Sequence, residues 1–107
     1  MTLTNETLAH LRAAIQGRLI TPVEAEYDQA RVLYTGGKAR PPANIVRAAT
    51  SADIAQPIAL ASQTRIALAV RSGGHSGAGH GVCEGGIVLD LRDLRALHIN
   101  AERRTAW

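Results

Sequence analysis

Phenylalanine is absent from this chain of 107 residues, and aromatic residues make up only 3% of it. With 46% hydrophobic residues a core is available, but it has to be built from Leu, Ile, Val and Ala. The single cysteine, Cys83, excludes an internal disulfide and a cysteine-based zinc site. The single lysine, Lys38, stands among arginines that are scattered, with no basic run longer than Arg103-Arg104. Nucleic-acid binding calls for a clustered basic stripe and stacking aromatics, and this sequence has neither. The formal charge of +3 suits a cofactor diphosphate or an acidic partner equally well. No apolar stretch approaches the roughly 20 residues that cross a bilayer. The opening, MTLTNETLAHLRAAIQG, has neither the basic start nor the long apolar stretch of a secretory signal. A cytoplasmic protein with no membrane partner is therefore expected. The length allows one small domain.

Glycine, by contrast, is concentrated. Seven of the ten glycines fall between Gly73 and Gly86. The apolar run Ile66–Val70 leads into this stretch and Ile87–Leu91 leads out of it, which reads as strand, long loop, strand. Glycine accepts positive φ without steric cost, so successive backbone amides can turn toward one point. Such a concavity of N–H groups binds anions, phosphate above all. The two common phosphate fingerprints do not fit. Gly77-Ala78-Gly79 is not followed by the helix of a dinucleotide-binding turn, and no Gly-Lys-Ser/Thr closes a P-loop.

Along the rest of the chain, Leu8, Leu11 and Ile15 repeat at helical spacing over residues 4–16, with Thr4 as cap and Gly17 as stop. Ile20-Thr21-Pro22 reads as a turn, Val23–Leu33 holds a short helix, and Ile45-Val46 is a short strand. Ser51 caps a second long helix, where Asp53 favours the positive end of the dipole. Ile54, Ile58 and Ala61 share one face of it. Pro57 would break this helix at its sixth position, so the expectation is a later start with Pro57 in the first turn. A turn at Arg92–Leu94 and a strand Ala96–Ile99 follow.

The whole string is more specific than its glycine content. Val70-Arg71-Ser72-Gly73-Gly74-His75-Ser76, then Ala78-Gly79, then Gly85-Gly86-Ile87-Val88-Leu89-Asp90-Leu91, resembles the FAD-linked oxidases of the berberine-bridge-enzyme type, within the vanillyl-alcohol-oxidase superfamily. Tyr27-Asp28-Gln29-Ala30-Arg31, Arg40-Pro41-Pro42-Ala43-Asn44-Ile45-Val46 and Arg103-Arg104-Thr105-Ala106 are similar to the same family, so the resemblance spans roughly residues 24–107. It implies an α+β fold, the N-terminal part of a two-subdomain FAD-binding domain, with residues 1–23 as a helical lead-in. It also implies that Arg71, Ser72, Gly73, Gly74, His75, Ser76, Gly77 and Gly79 hold FAD. Backbone amides there would face the diphosphate, and His75 would be the covalent anchor. A neutral imidazole nitrogen is a good nucleophile near neutral pH.

The sequence departs from the family in three places. Tyr34 stands near a common tryptophan, Gly81 replaces a common serine and Glu84 a common aspartate. Asp90, in the family's I-D-L step, reads as structural, satisfying loop amides. His75, His80 and Cys83 are three ligand-type residues within nine positions, but no second cluster completes a tetrahedral metal site, so no metal is expected. Cys83 reads as a small buried hydrophobe.

The resemblance implies oxidation of an alcohol, sugar or amine through flavin, and the family's substrate domain and catalytic base are expected to be missing from this chain. The expectation is an FAD-binding portion that is inactive by itself. Its partners would be FAD and a polypeptide supplying the rest of the domain, or a second copy. The alternative is a non-catalytic binding or interaction module from a truncated reading frame.

Overall fold

The computed structural model describes residues 3–32, 41–75 and 83–107. Helix α1 covers Asn5–Ala14, and the Thr4 side chain accepts the Thr7 N–H as its cap. Strand β1 (Arg18–Ile20), short helix α2 (Tyr27–Ala30) and strand β2 (Asn44–Arg47) follow, then helix α3 (Ala52–Thr64) and strands β3 (Leu68–Arg71) and β4 (Ile87–Asp90). A hairpin of β5 (Ile99–Asn100) and β6 (Thr105–Ala106) closes the described chain.

The main sheet has the order β1-β2-β4-β3. Strands β2, β4 and β3 are parallel, and β1 joins β2 antiparallel. Strand β4 lies between its neighbours and is buried throughout, as its unbroken apolar run IVL suggests. Alternation along the strands sends side chains to two cores. On one face Leu19, Val46, Ile87 and Leu89 pack with Leu11 of α1, Ile15 just after it and Ala61 of α3. On the other, Ile20, Ile45, Ala69 and Val88 pack under Tyr27 and Ala30 of α2, with Cys83 partly buried against them. The mixed helix-and-sheet fold expected from the sequence is what forms.

Several local expectations are corrected. Residues 18–20 form a strand before the turn, because β2 offers Ile45–Arg47 as partners. Helix α3 begins upstream of Pro57 and contains it. Its start is set not by Ser51, whose side chain makes no capping bond, but by Asp53. The Asp53 carboxylate is 2% exposed and accepts four backbone N–H groups: Gln16 on Oδ1 at 2.9 Å, and Gly17, Ala49 and Thr50 on Oδ2 at 2.9, 2.8 and 3.3 Å. With that turn fixed, Pro57 falls in the helix and its ring is buried.

The buried stripe of α3 is therefore Asp53, Pro57 and Ala61, and Ile58 points outward, 46% exposed. Strand β3 is an edge strand and its Val70 is 54% exposed, so β4 is covered on both faces and β3 is not. Ala96–His98 lies outside any strand, and β5 begins at Ile99. Gly17 sits so close to the Arg47 carbonyl that a β-carbon would collide with it, which lets the α1–β1 turn reach Asp53.

Candidate functional site

The C-terminal ends of the parallel strands carry a row of charges. In register, Arg18 of β1 faces Arg47 of β2, Arg47 faces Asp90 of β4, and Asp90 faces Arg71 of β3. By alternation all four lie on the α2 side of the sheet. Arg18 pairs with Glu26, and Arg47 donates to Asp93 at 2.7 and 3.2 Å. That hydrogen bond from Arg47 holds the Asp93 carboxyl below its ordinary range.

The inner pair is of another kind. Arg71 Nη2 donates to Asp90 Oδ2 at 2.7 Å, with the two side chains 1% and 0% exposed. Nη2 also donates to the carbonyl of Ala30, at the end of α2. Arg92 adds two bonds to the same carboxylate, its backbone N–H on Oδ1 at 3.0 Å and its Nε on Oδ2 at 2.9 Å. Asp90 satisfies one turn amide and two guanidinium groups, where the sequence suggests a set of loop amides.

From Arg71 the chain turns directly into the glycine loop. Ser72, Gly73 and His75 are exposed and Gly74 is buried. Gly74 has φ 72°, a conformation that side-chain-bearing residues resist. The His75 ring folds back over Gly73. A β-carbon there would stand 2.5 Å from its Cδ2 and 3.0 Å from its Nε2. Ser76, Gly77 and Gly79, which the sequence places in the same site, lie outside the described residues, as do His80 and Gly81. Among the described residues no group of His, Cys, Asp or Glu could hold a metal ion. No described helix is long and apolar enough to cross a membrane.

Two details suit an anionic group. Arg71 Nε and Nη1 are buried and have no hydrogen-bond partner among the described residues. A buried donor left unmatched costs about 1–3 kcal/mol, more for a charged group. The adjoining backbone at Gly73-Gly74 carries no side chain to block approach. The position is also the common one for ligands of parallel sheets, beyond the carboxyl ends of the strands. The pairing of Arg71 with Asp90 is not among the expectations from the sequence, although a signal exists. LAVR and IVLD are apolar strands of equal length that end in opposite charges, and parallel alignment puts those ends side by side.

The fold and the loop together define a flavin-binding domain. Residues 42–107 match the FAD binding domain family, and the chain belongs to that family. Its cofactor is FAD. Among curated relatives, (R)-6-hydroxynicotine oxidase of Paenarthrobacter nicotinovorans is 34% identical over 87 residues, 81% of this chain and 19% of the relative. The crystal structure of 6-hydroxy-D-nicotine oxidase from Arthrobacter nicotinovorans superposes with a TM-score of 0.76 at 35% identity, covering 80% of this chain and 19% of that one. The berberine-bridge-enzyme-like protein 1 of Physcomitrella patens superposes with a TM-score of 0.80 at 27% identity, covering 92% and 22%. The chain thus spans about a fifth of the length of these relatives.

Proposed function

We propose that the loop opened by Arg71 cradles the FAD diphosphate and that His75 is the covalent anchor of the flavin. The observation that carries this reading is the pair of unmatched donors on buried Arg71, set immediately before a turn with no side chains at Gly73 and Gly74. Arg71 would supply charge-assisted hydrogen bonds, which are shorter and stronger than neutral ones. Ser72 and Ser76 would add hydroxyl donors, and the amides at Gly73, Gly74, Gly77 and Gly79 would complete the cradle. The imidazole of His75 is exposed at the start of the loop. Bound flavin supplies a hydride acceptor. The reaction class is oxidation of an alcohol, sugar or amine, which needs the substrate held against the flavin and a base to take its proton.

The test is direct. The chain is expressed, supplied with FAD and precipitated with acid, and flavin remaining on the polypeptide is read by mass spectrometry. The expected result is one flavin per chain, lost in His75→Ala while dissociable FAD persists. Flavin still covalently attached to the His75→Ala protein would refute the anchor, and no flavin bound in either form would refute the site.

A further inference from the structure

We propose that Asp90 is a positioning residue for the FAD loop, acting through Arg71; this rests on the reading of the loop as the diphosphate site. A guanidinium offers five donors in a rigid fork, and what it presents depends on how the fork is turned. Here Asp90 Oδ2 and the Ala30 carbonyl both take Nη2, and Nε and Nη1, on either side of it in the fork, have no partner among the described residues. Asp90 cannot drift. Its strand is paired on both sides, and its other oxygen is held by the Arg92 N–H at 3.0 Å. The Leu91 N–H on the Arg71 carbonyl, at 2.8 Å, ties the two strand ends together at the start of the loop. The carboxylate is shared with Arg92 as well, so two cations meet one anion. The cluster keeps an excess positive charge beside the loop and still favours an anionic ligand. A buried ion pair is weak evidence for stability alone, and orientation is a better account of one that leaves two donors unmatched.

The experiment uses the chain in a His75→Ala background, so that FAD binding is reversible, with affinity read by quenching of flavin fluorescence and folding by circular dichroism. Asp90→Asn, which keeps the size, is expected to weaken FAD binding about tenfold or more, as loss of one charge-assisted contact does. Asp93→Asn, which breaks the neighbouring exposed pair with Arg47, is expected to change affinity less than about twofold. If Asp90→Asn does not fold, Arg71→Gln is compared with the double variant Arg71→Gln/Asp90→Asn, which leaves no charge within the buried pair and only the part-exposed Arg92 without its partner. The two are expected to bind FAD equally weakly, since Asp90 acts only through Arg71. Unchanged affinity in folded Asp90→Asn, an equal loss in Asp93→Asn, or a further loss in the double variant would each overturn the proposal. Absence of FAD binding by the His75→Ala background would instead overturn the diphosphate reading, and this inference with it.

Discussion

Replacing Asp53 by asparagine separates two accounts of what that residue does. As a charge near a helix N-terminus it would contribute about 0.3–1 kcal/mol. As the acceptor of four backbone N–H groups from two different turns it contributes much more. In the Asp53→Asn variant the side-chain nitrogen must replace one carboxylate oxygen. If it takes the Oδ2 place, three donors lose their acceptor; the Oδ1 place loses only Gln16, and that arrangement will be chosen. One buried donor left unmatched costs about 1–3 kcal/mol. The three bonds that remain pass from charged to neutral acceptors, which roughly halves their strength.

The sum is a loss of about 3–5 kcal/mol, against a total stability of about 5–15 for a small domain. With a urea slope of about 1–3 kcal/mol per M, the midpoint should fall by about 1–5 M in equilibrium unfolding followed by circular dichroism. A loss under about 1 kcal/mol would refute the four-bond account and leave only the dipole. Proton linkage gives the same residue a second signature. Burial pushes its carboxyl up, but the bonds from Gln16, Ala49, Gly17 and Thr50 outweigh this and hold it below the ordinary aspartate range. A depressed folded value means stability that is present above the unfolded pKa and is lost as pH falls through the folded one. The difference between the parent and Asp53→Asn should therefore be constant at neutral pH and shrink below about pH 4.

Three further outcomes are expected. Gly74→Val should weaken FAD binding even with His75 intact, since a β-branched residue resists φ 72°, and unchanged flavin retention would argue against the loop as the cradle. Tyr27→Phe removes the hydroxyl that donates to the buried Pro42 carbonyl at 2.5 Å and should lower stability by about 1–2 kcal/mol in the same urea assay. The chain with FAD should show no oxidase turnover with alcohols, sugars or amines in a stopped-flow test of flavin bleaching, because His75 is assigned to the anchor; reduction by any of them would reverse that expectation.

The parts of this fold that are legible in the sequence are those decided locally. Thr4, the spacing of Leu8 and Leu11, and the run Ile87–Leu89 each carry their own signal, and each lies where expected. Strand β1 is illegible because three residues become a strand only when β2 offers them partners 25 to 29 positions away. The exposure of Val70 is illegible for a related reason, since an edge is a property of the sheet and not of the strand. Asp53 and Pro57 show the limit of local rules. A capping serine and an early proline argue for one helix start, and a carboxylate bonded to residues 36 and 37 positions away imposes another. At the site, the glycine loop and His75 are legible as a string, whereas the unmatched nitrogens of Arg71 depend on the burial of both strand ends.

The charged row across the four strands also acts as a ruler for assembling the sheet. NIV, LAV and IVL are short and nearly interchangeable, so hydrophobic packing alone distinguishes poorly between alignments shifted by two residues, which keep every side chain on its own face. The final position removes the ambiguity. In a shifted alignment Arg71 would lie buried without Asp90, and breaking a buried pair costs about 3–5 kcal/mol. A chain with so few aromatic landmarks thus counts its register from its charges, and the residue that ends the count is the one from which the glycine loop departs.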